Sequence, residues 1–253
     1  MSDSSALVNK PWAFCSVLRD DGVGTLDYTE QLTYLLFLKM AHERETRALN
    51  PEKIVPKDCS WQLLLDAEGE ALEKTYKRIL ETLAKQTGTL GVIFRKAQNK
   101  IQDPAKLKRL IVDLIDKENW SATGVDIKGD AYEGLLAKGA EDIKSGAGQY
   151  FTPRALIAAM VDVIQPTAKD TVHDPACGTG GMLTVSEEHL RELNSSFNLI
   201  GYGQELQPET YAICKADILI KGNNNYINAK SVKEYYEKNM DTLESIYNNP
   251  DNM

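Results

Sequence analysis

The chain has 253 residues, 42% of them hydrophobic, and its 37 acidic side chains outnumber 29 basic ones for a net charge of −8. That is enough chain for one large or two modest domains, and no apolar run approaches the roughly 20 residues a membrane helix needs. The sign of the charge argues against a protein that grips nucleic acid by itself, since phosphate neutralisation supplies most non-specific affinity. The four cysteines (Cys15, Cys59, Cys177, Cys214) form no Cys-x-x-Cys pair. Neither a disulfide framework nor a metal site is therefore expected, and a reducing cytoplasm fits best. Met1 to Ser5 carries no basic or apolar leader pattern.

The first half reads as helices. Asp27 with Glu30 resembles a capping box ahead of Leu32, Leu35, Leu36 and Met40 at helical spacing. A second helix is expected from about Gly69 to Gln86, with Leu72, Tyr76, Ile79, Leu80 and Leu83 on one face. Asp103 caps a third, with Pro104 at its first position and Leu107, Leu110, Ile111, Leu114 and Ile115 as its stripe. The Lys and Arg residues between these positions read as a solvated face, with a DNA-facing surface as the alternative.

At Lys144-Ser145-Gly146-Ala147-Gly148 the character changes, which sets domain bounds of 1–145, 146–222 and 223–253. Thr152 can cap a helix that starts on Pro153 and carries Leu156, Ile157, Met160, Val161 and Ile164. A strand from Asp170 to Asp174 leads into a Gly-rich loop, followed by a helix from about Gly181 to Leu193. A second strand from Asn198 to Glu205 and a helix from Pro208 to near Gly222 follow. Strand, Gly loop, helix and strand ending in an acid make half of a doubly wound sheet. The Asn-rich tail shows no third clear strand. Its Val232, Tyr235, Tyr236, Met240, Leu243 and Ile246 suggest an amphipathic helix from about Ala229 to Tyr247.

The loop Asp174-Pro175-Ala176-Cys177-Gly178-Thr179-Gly180-Gly181 carries the chemistry. Gly178, Gly180 and Gly181 permit a sharp strand-to-helix turn and a close backbone approach to a nucleoside cofactor. Glu205, at the end of the second strand, is spaced to accept hydrogen bonds from ribose hydroxyls. This plan alone also fits a nicotinamide-dependent oxidoreductase. Cys177 lies inside the turn and reads as an inert buried thiol; His173 reads as structural. Asp174 has no evident structural purpose.

The whole string Asp174 to Gly181, preceded by Gly146-Ala147-Gly148-Gln149-Tyr150-Phe151-Thr152-Pro153-Arg154, is more specific. With Leu18-Arg19-Asp20-Asp21-Gly22, Gln31 to Met40 and Lys128 to Leu136, it resembles the modification (M) subunit of type I restriction–modification systems, N6-adenine DNA methyltransferases. The resemblance implies a helical N-terminal domain followed by the first half of a Rossmann-like domain that binds S-adenosylmethionine. It implies that Gln149, Tyr150, Phe151, Thr152, Pro153 and Arg154 line the methionine end, with Thr152 on the carboxylate. Asp174 would receive the amino group, Gly178, Thr179 and Gly180 would act through backbone, and Glu205 would hold the ribose. Met182 stands where the family more often has Phe. The implied partners are a specificity subunit, a restriction subunit, a second modification subunit and double-stranded DNA.

The family's Asn-Pro-Pro-aromatic string, on which the target adenine is held, does not occur; the nearest is Asn248-Asn249-Pro250-Asp251. The family's Gly-Asp pair is also absent after Lys221. The resemblance is expected to stop near Gly222, so the chain reads as a truncated or altered form without catalytic residues of its own. A non-enzymatic assembly subunit that keeps cofactor binding is the alternative.

Overall fold

The computed structural model describes residues 13–14, 17–18, 22–47, 51–120, 152, 154–220 and 227–231. The chain divides into two compact units, residues 1–151 and 152–253.

The first unit is helical. Its hub is α1 (Thr25–Thr46), where every residue from Gln31 to Lys39 is buried. A helix buried all round belongs at the centre of a bundle, whatever its polar residues. Around it stand α2 (Trp61–Asp66), α3 (Gly69–Ala84), α4 (Gly88–Ile93) and α5 (Pro104–Arg109). The α3 stripe Leu72, Tyr76, Ile79, Leu80 and Leu83 is fully buried, as its spacing predicts. Asp103 caps α5 by accepting from the Ala105 and Lys106 N–H groups, and Pro104 takes the first position. The helix then widens into a π turn over Leu110–Ile115, which helical spacing does not foretell.

The capping box expected at Asp27 and Glu30 does not form. The helix starts earlier, from Gly24 with no side-chain cap. Buried Val23 and Tyr28 pull the first turn inward, leaving Asp27 inside it and Glu30 to accept from the Tyr34 hydroxyl at 2.6 Å.

Lys39 is buried on α1, and burying an ammonium group requires a partner. Its Nζ lies 2.9 Å from Asp116 Oδ1 and 3.5 Å from Glu43. The same Asp116 oxygen accepts from the Trp61 indole N–H at 2.8 Å, so one carboxylate ties α1, α2 and the end of the π turn together.

The second unit is α/β. It comprises α6 (Arg154–Ile164), β1 (Thr171–Asp174), α7 (Gly181–Leu193), β2 (Ile200–Glu205), α8 (Pro208–Ile220) and β3 (Ile227–Ser231). The strands are parallel in the order β1-β2-β3, with Asp174 opposite Gly203 and Glu205 opposite Ser231. A helical region followed by the first part of a Rossmann-like sheet is the fold class read from the sequence.

The third strand corrects that reading. Ile227 and Ala229 are buried beside β2, and the polar residues between and around them masked the alternation. The helix expected from Ala229 therefore cannot begin there; Val232 to Tyr247 lie outside the described residues. On α6 only Ile157 and Val161 of the expected stripe are buried, while Leu156, Met160 and Ile164 are exposed. Among the described residues, one face of the sheet is covered and carries Gly201, Gly203, Ile227 and Ala229. The other leaves Ile200 and Tyr202 exposed, with His173 in ring contact with Tyr202 at 4.9 Å. Midway along α7, buried Glu187 accepts a short hydrogen bond from the Leu199 N–H and pairs with Arg191 at 2.7 Å, fixing the entry to β2.

Asp116 yields a test. Burial raises its carboxyl pKa, but the Lys39 ammonium and the Trp61 indole outweigh burial, and it lies below the ordinary value. Its contribution is therefore complete above the ordinary Asp range and lost as pH falls through the lowered pKa. Asp116→Ala is expected to cost about 1.5–3 kcal/mol near neutral pH, the usual cost of losing hydrogen bonds to a charged group. In chemical denaturation, the gap from wild type should shrink in strong acid.

Candidate cofactor site

The site is built where β1 gives way to α7. Gly178 (φ 55°) and Gly180 (φ 90°) both sit in the left-handed region, which costs other residues about 1–2 kcal/mol. At Gly180 there is a second requirement: a Cβ would lie 2.9 Å from Cys214 Sγ on α8. At Gly178 the same construction meets nothing within 4 Å. The loop is thus packed behind Gly180 and open in front of Gly178, the shape a ligand approaching the backbone requires.

Two hydrogen bonds knit this loop to the end of β2. The Cys177 N–H donates to the Gln204 carbonyl at 2.8 Å, and the Gly178 N–H donates to Glu205 Oε2 at 3.0 Å. The other Glu205 oxygen accepts from the Gln207 N–H at 2.7 Å. Glu205 is therefore gripped by backbone on both sides before any ligand arrives. The Gly180 N–H donates to the Cys177 carbonyl at 2.7 Å and closes the turn into α7, whose first N–H groups have no carbonyl one turn back.

Asp174 has a structural purpose that sequence reasoning did not find. Its Oδ1 accepts from the Ala176 N–H at 3.1 Å and holds the start of the loop. Asp174, Gly178, Thr179, Gly180 and Glu205 all lie at the carboxyl ends of β1 and β2, where open α/β sheets bind ligands. Thr152 is exposed ahead of α6. Gln149, Tyr150, Phe151 and Pro153 lie outside the described residues, and of Arg154 only its place at the start of α6 is described.

Beneath the loop lie residues the sequence reading passed over. At Gly203 a Cβ would sit 2.9 Å from Cys177 Sγ and 3.0 Å from Leu183 Cδ1; at Gly201 it would crowd Ile227 and Leu183. The alternating glycines of Gly201-Tyr202-Gly203 were the available signal, since glycine inside a strand marks close approach. Hydrogen bonding with Cys177 and burial push the Cys214 thiol well above its ordinary range. Both sulfurs are buried and act as packing.

Two family profiles match the chain: HsdM N-terminal domain over residues 7–114 and N-6 DNA Methylase over residues 123–252. The second continues past Gly222, where the resemblance was expected to stop. The methylase subunit of the type I restriction enzyme StySJI from Salmonella typhimurium is 35% identical over 210 residues, 81% of this chain and 39% of that protein. The EcoKI methylase subunit from Escherichia coli is 35% identical over 211 residues, with the same coverage. The chain thus spans about two fifths of the length of these curated relatives. A type I restriction-modification system methyltransferase subunit from Streptococcus thermophilus shares the fold at a TM-score of 0.70 and 16% identity, over 90% of this chain and 58% of that one.

The two kinds of glycine separate experimentally. Gly203→Ala should overpack the Cys177 and Leu183 contacts and cost about 1–3 kcal/mol. Gly178→Ala should cost about 1–2 kcal/mol through backbone strain alone. Urea denaturation of both checks the first effect. Ligand titration should show Gly178→Ala as the more damaging to binding, because its methyl group fills the open side of the loop.

Proposed function

Because the chain belongs to the N-6 DNA methylase family, among the modification subunits of type I restriction–modification systems, we propose that it binds S-adenosylmethionine on the Asp174–Gly181 loop for methylation of adenine N6 in DNA. The observation that carries this reading is the Glu205 carboxylate bonded to the Gly178 N–H at the mouth of the loop. The cofactor, when bound, supplies a methyl group on a sulfonium sulfur that an amine nitrogen displaces directly.

The residues present fit that cofactor. The open side of Gly178 admits a ligand against the backbone, and Glu205 keeps further lone pairs for the ribose hydroxyls. Asp174 is the carboxylate for the amino group, Thr179 and Gly180 contribute backbone, and the family resemblance assigns Gln149 to Arg154 to the methionine end. Direct displacement needs positioning rather than a covalent intermediate, so the buried thiols of Cys177 and Cys214 have no part in it.

The target base must leave the duplex and enter a pocket that reads its edge. This sequence contains no Asn-Pro-Pro-aromatic string to build one. By its family, the chain works with a specificity subunit that reads the DNA sequence, a second modification subunit, and a restriction subunit for cleavage.

Calorimetry tests the site. Wild type should bind S-adenosylmethionine and not NAD, and Asp174→Ala and Glu205→Ala should each weaken binding about ten-fold or more, the loss expected for hydrogen bonds to a charged group. Equal affinities for all three would refute the assignment. The 253-residue chain alone should transfer no labelled methyl group to DNA; measurable transfer would contradict the reading of the missing string.

A further inference from the structure

All-parallel sheets occur almost only with both faces covered by helices. Here both described crossovers lie on one side. α7 reaches the covered face through Leu183, beneath Gly201 and Gly203. α8 reaches it through Tyr211, whose hydroxyl donates to the Ala229 carbonyl at 3.2 Å. The strands run in the order β1-β2-β3, each added beyond the last, and right-handed crossovers taken in one direction put their helices on one face.

Among the described residues, the opposite face has no such cover. Register places Thr171 beside Ile200, His173 beside Tyr202 and Gln204 beside Lys230, and all six are exposed. The middle strand makes this face apolar: Ile200 is 48% and Tyr202 42% exposed, and the His173 ring lies 4.9 Å from that of Tyr202.

The chain leaves the sheet from Ser231, at the carboxyl end of the edge strand β3. A crossover that continued outward would add its helix to the covered side. One that returns toward the β1 edge reverses direction and, kept right-handed, passes over the open side. The residues that follow suit the second course. Val232, Tyr235, Tyr236, Met240, Leu243 and Ile246 fall on one stripe at helical spacing, and Glu234, Glu237, Asp241 and Glu244 fall away from it. As a helix, residues 232–247 would span about 24 Å, against about 10 Å across three strands. The other exposed apolar stripe, Leu156, Met160, Val163 and Ile164 on α6, is harder to reach. α6 packs on α7, so α7 and α8 lie between it and β3.

We propose that residues 232–247 dock as an amphipathic helix on the Ile200–Tyr202 face of the sheet. The chain then covers its own second face and closes it to a partner subunit. This placement follows from strand order and exposure, and it is independent of which cofactor the Gly loop binds.

The test is a photocrosslinking residue, p-benzoylphenylalanine, in place of exposed Tyr202 in the full chain, with adducts mapped by mass spectrometry. Mixing with heavy-isotope-labelled chain separates adducts within one chain from adducts between copies. The expected result is an adduct within one chain to residues 232–247. The same probe in place of Glu192, exposed on α7, should not reach that segment. Leu243→Asp with Ile246→Asp should lose the Tyr202-site adduct, while Glu234→Gln with Asp241→Asn, off the apolar stripe, should keep it.

An adduct between copies would give the face to a second chain and overturn the proposal. So would an adduct to the helical unit, no adduct to residues 232–247, or a probe at Glu192 that reaches them equally well. Cofactor titration of the same samples keeps the two readings apart. A chain that shows the expected adduct but binds no S-adenosylmethionine would contradict the proposed function alone.

Discussion

Glu205 is the point at which the second unit becomes a site. Its carboxylate, on the last residue of β2, accepts from the Gly178 N–H at 3.0 Å and from the Gln207 N–H at 2.7 Å. The first of those bonds joins residues 27 positions apart and holds the Gly loop against the strand end. The glycines of β2 depend on the same closeness, because a Cβ at Gly203 would occupy the space of Cys177 and Leu183. A loop drawn in behind and open in front needs small residues beneath it, a left-handed turn within it and an acceptor at its lip. All three are present.

The site was more legible in the sequence than the scaffold was. The Gly loop and the acid at the end of the second strand declare themselves because few other residues satisfy positive φ and close approach. Asp174 was legible as a position and misread in its physics, since its hydrogen bond to the Ala176 N–H is a purely local device. β3 was hidden because Ala229 and Ser231 are weak strand formers set among asparagines, and only pairing with β2 makes them one. The start of α1 was misplaced because tertiary burial of Val23 and Tyr28 overrides the cap that Asp27 and Glu30 spell out.

Whole-chain charge proved the least informative number. A net of −8 describes no particular surface, and the stretch from Lys85 to Arg109 runs strongly the other way. Structure was needed to show where some of these cations go: Lys106 and Lys108 bond carbonyls and Arg109 lies over the Phe14 ring. Gln31 holds the same stretch from behind: a buried amide is retained only when bonded, and its partners here include the Gln98 carbonyl and the Lys100 N–H.

Amide resonances of the isotopically labelled chain test the central claim most directly, because the Gly178 and Gln207 N–H groups both end on Glu205. Titration with S-adenosylmethionine should move both resonances along one saturation curve, while NAD leaves them in place. S-adenosylmethionine that leaves Gly178 and Gln207 unmoved, or NAD that shifts them, would contradict the account.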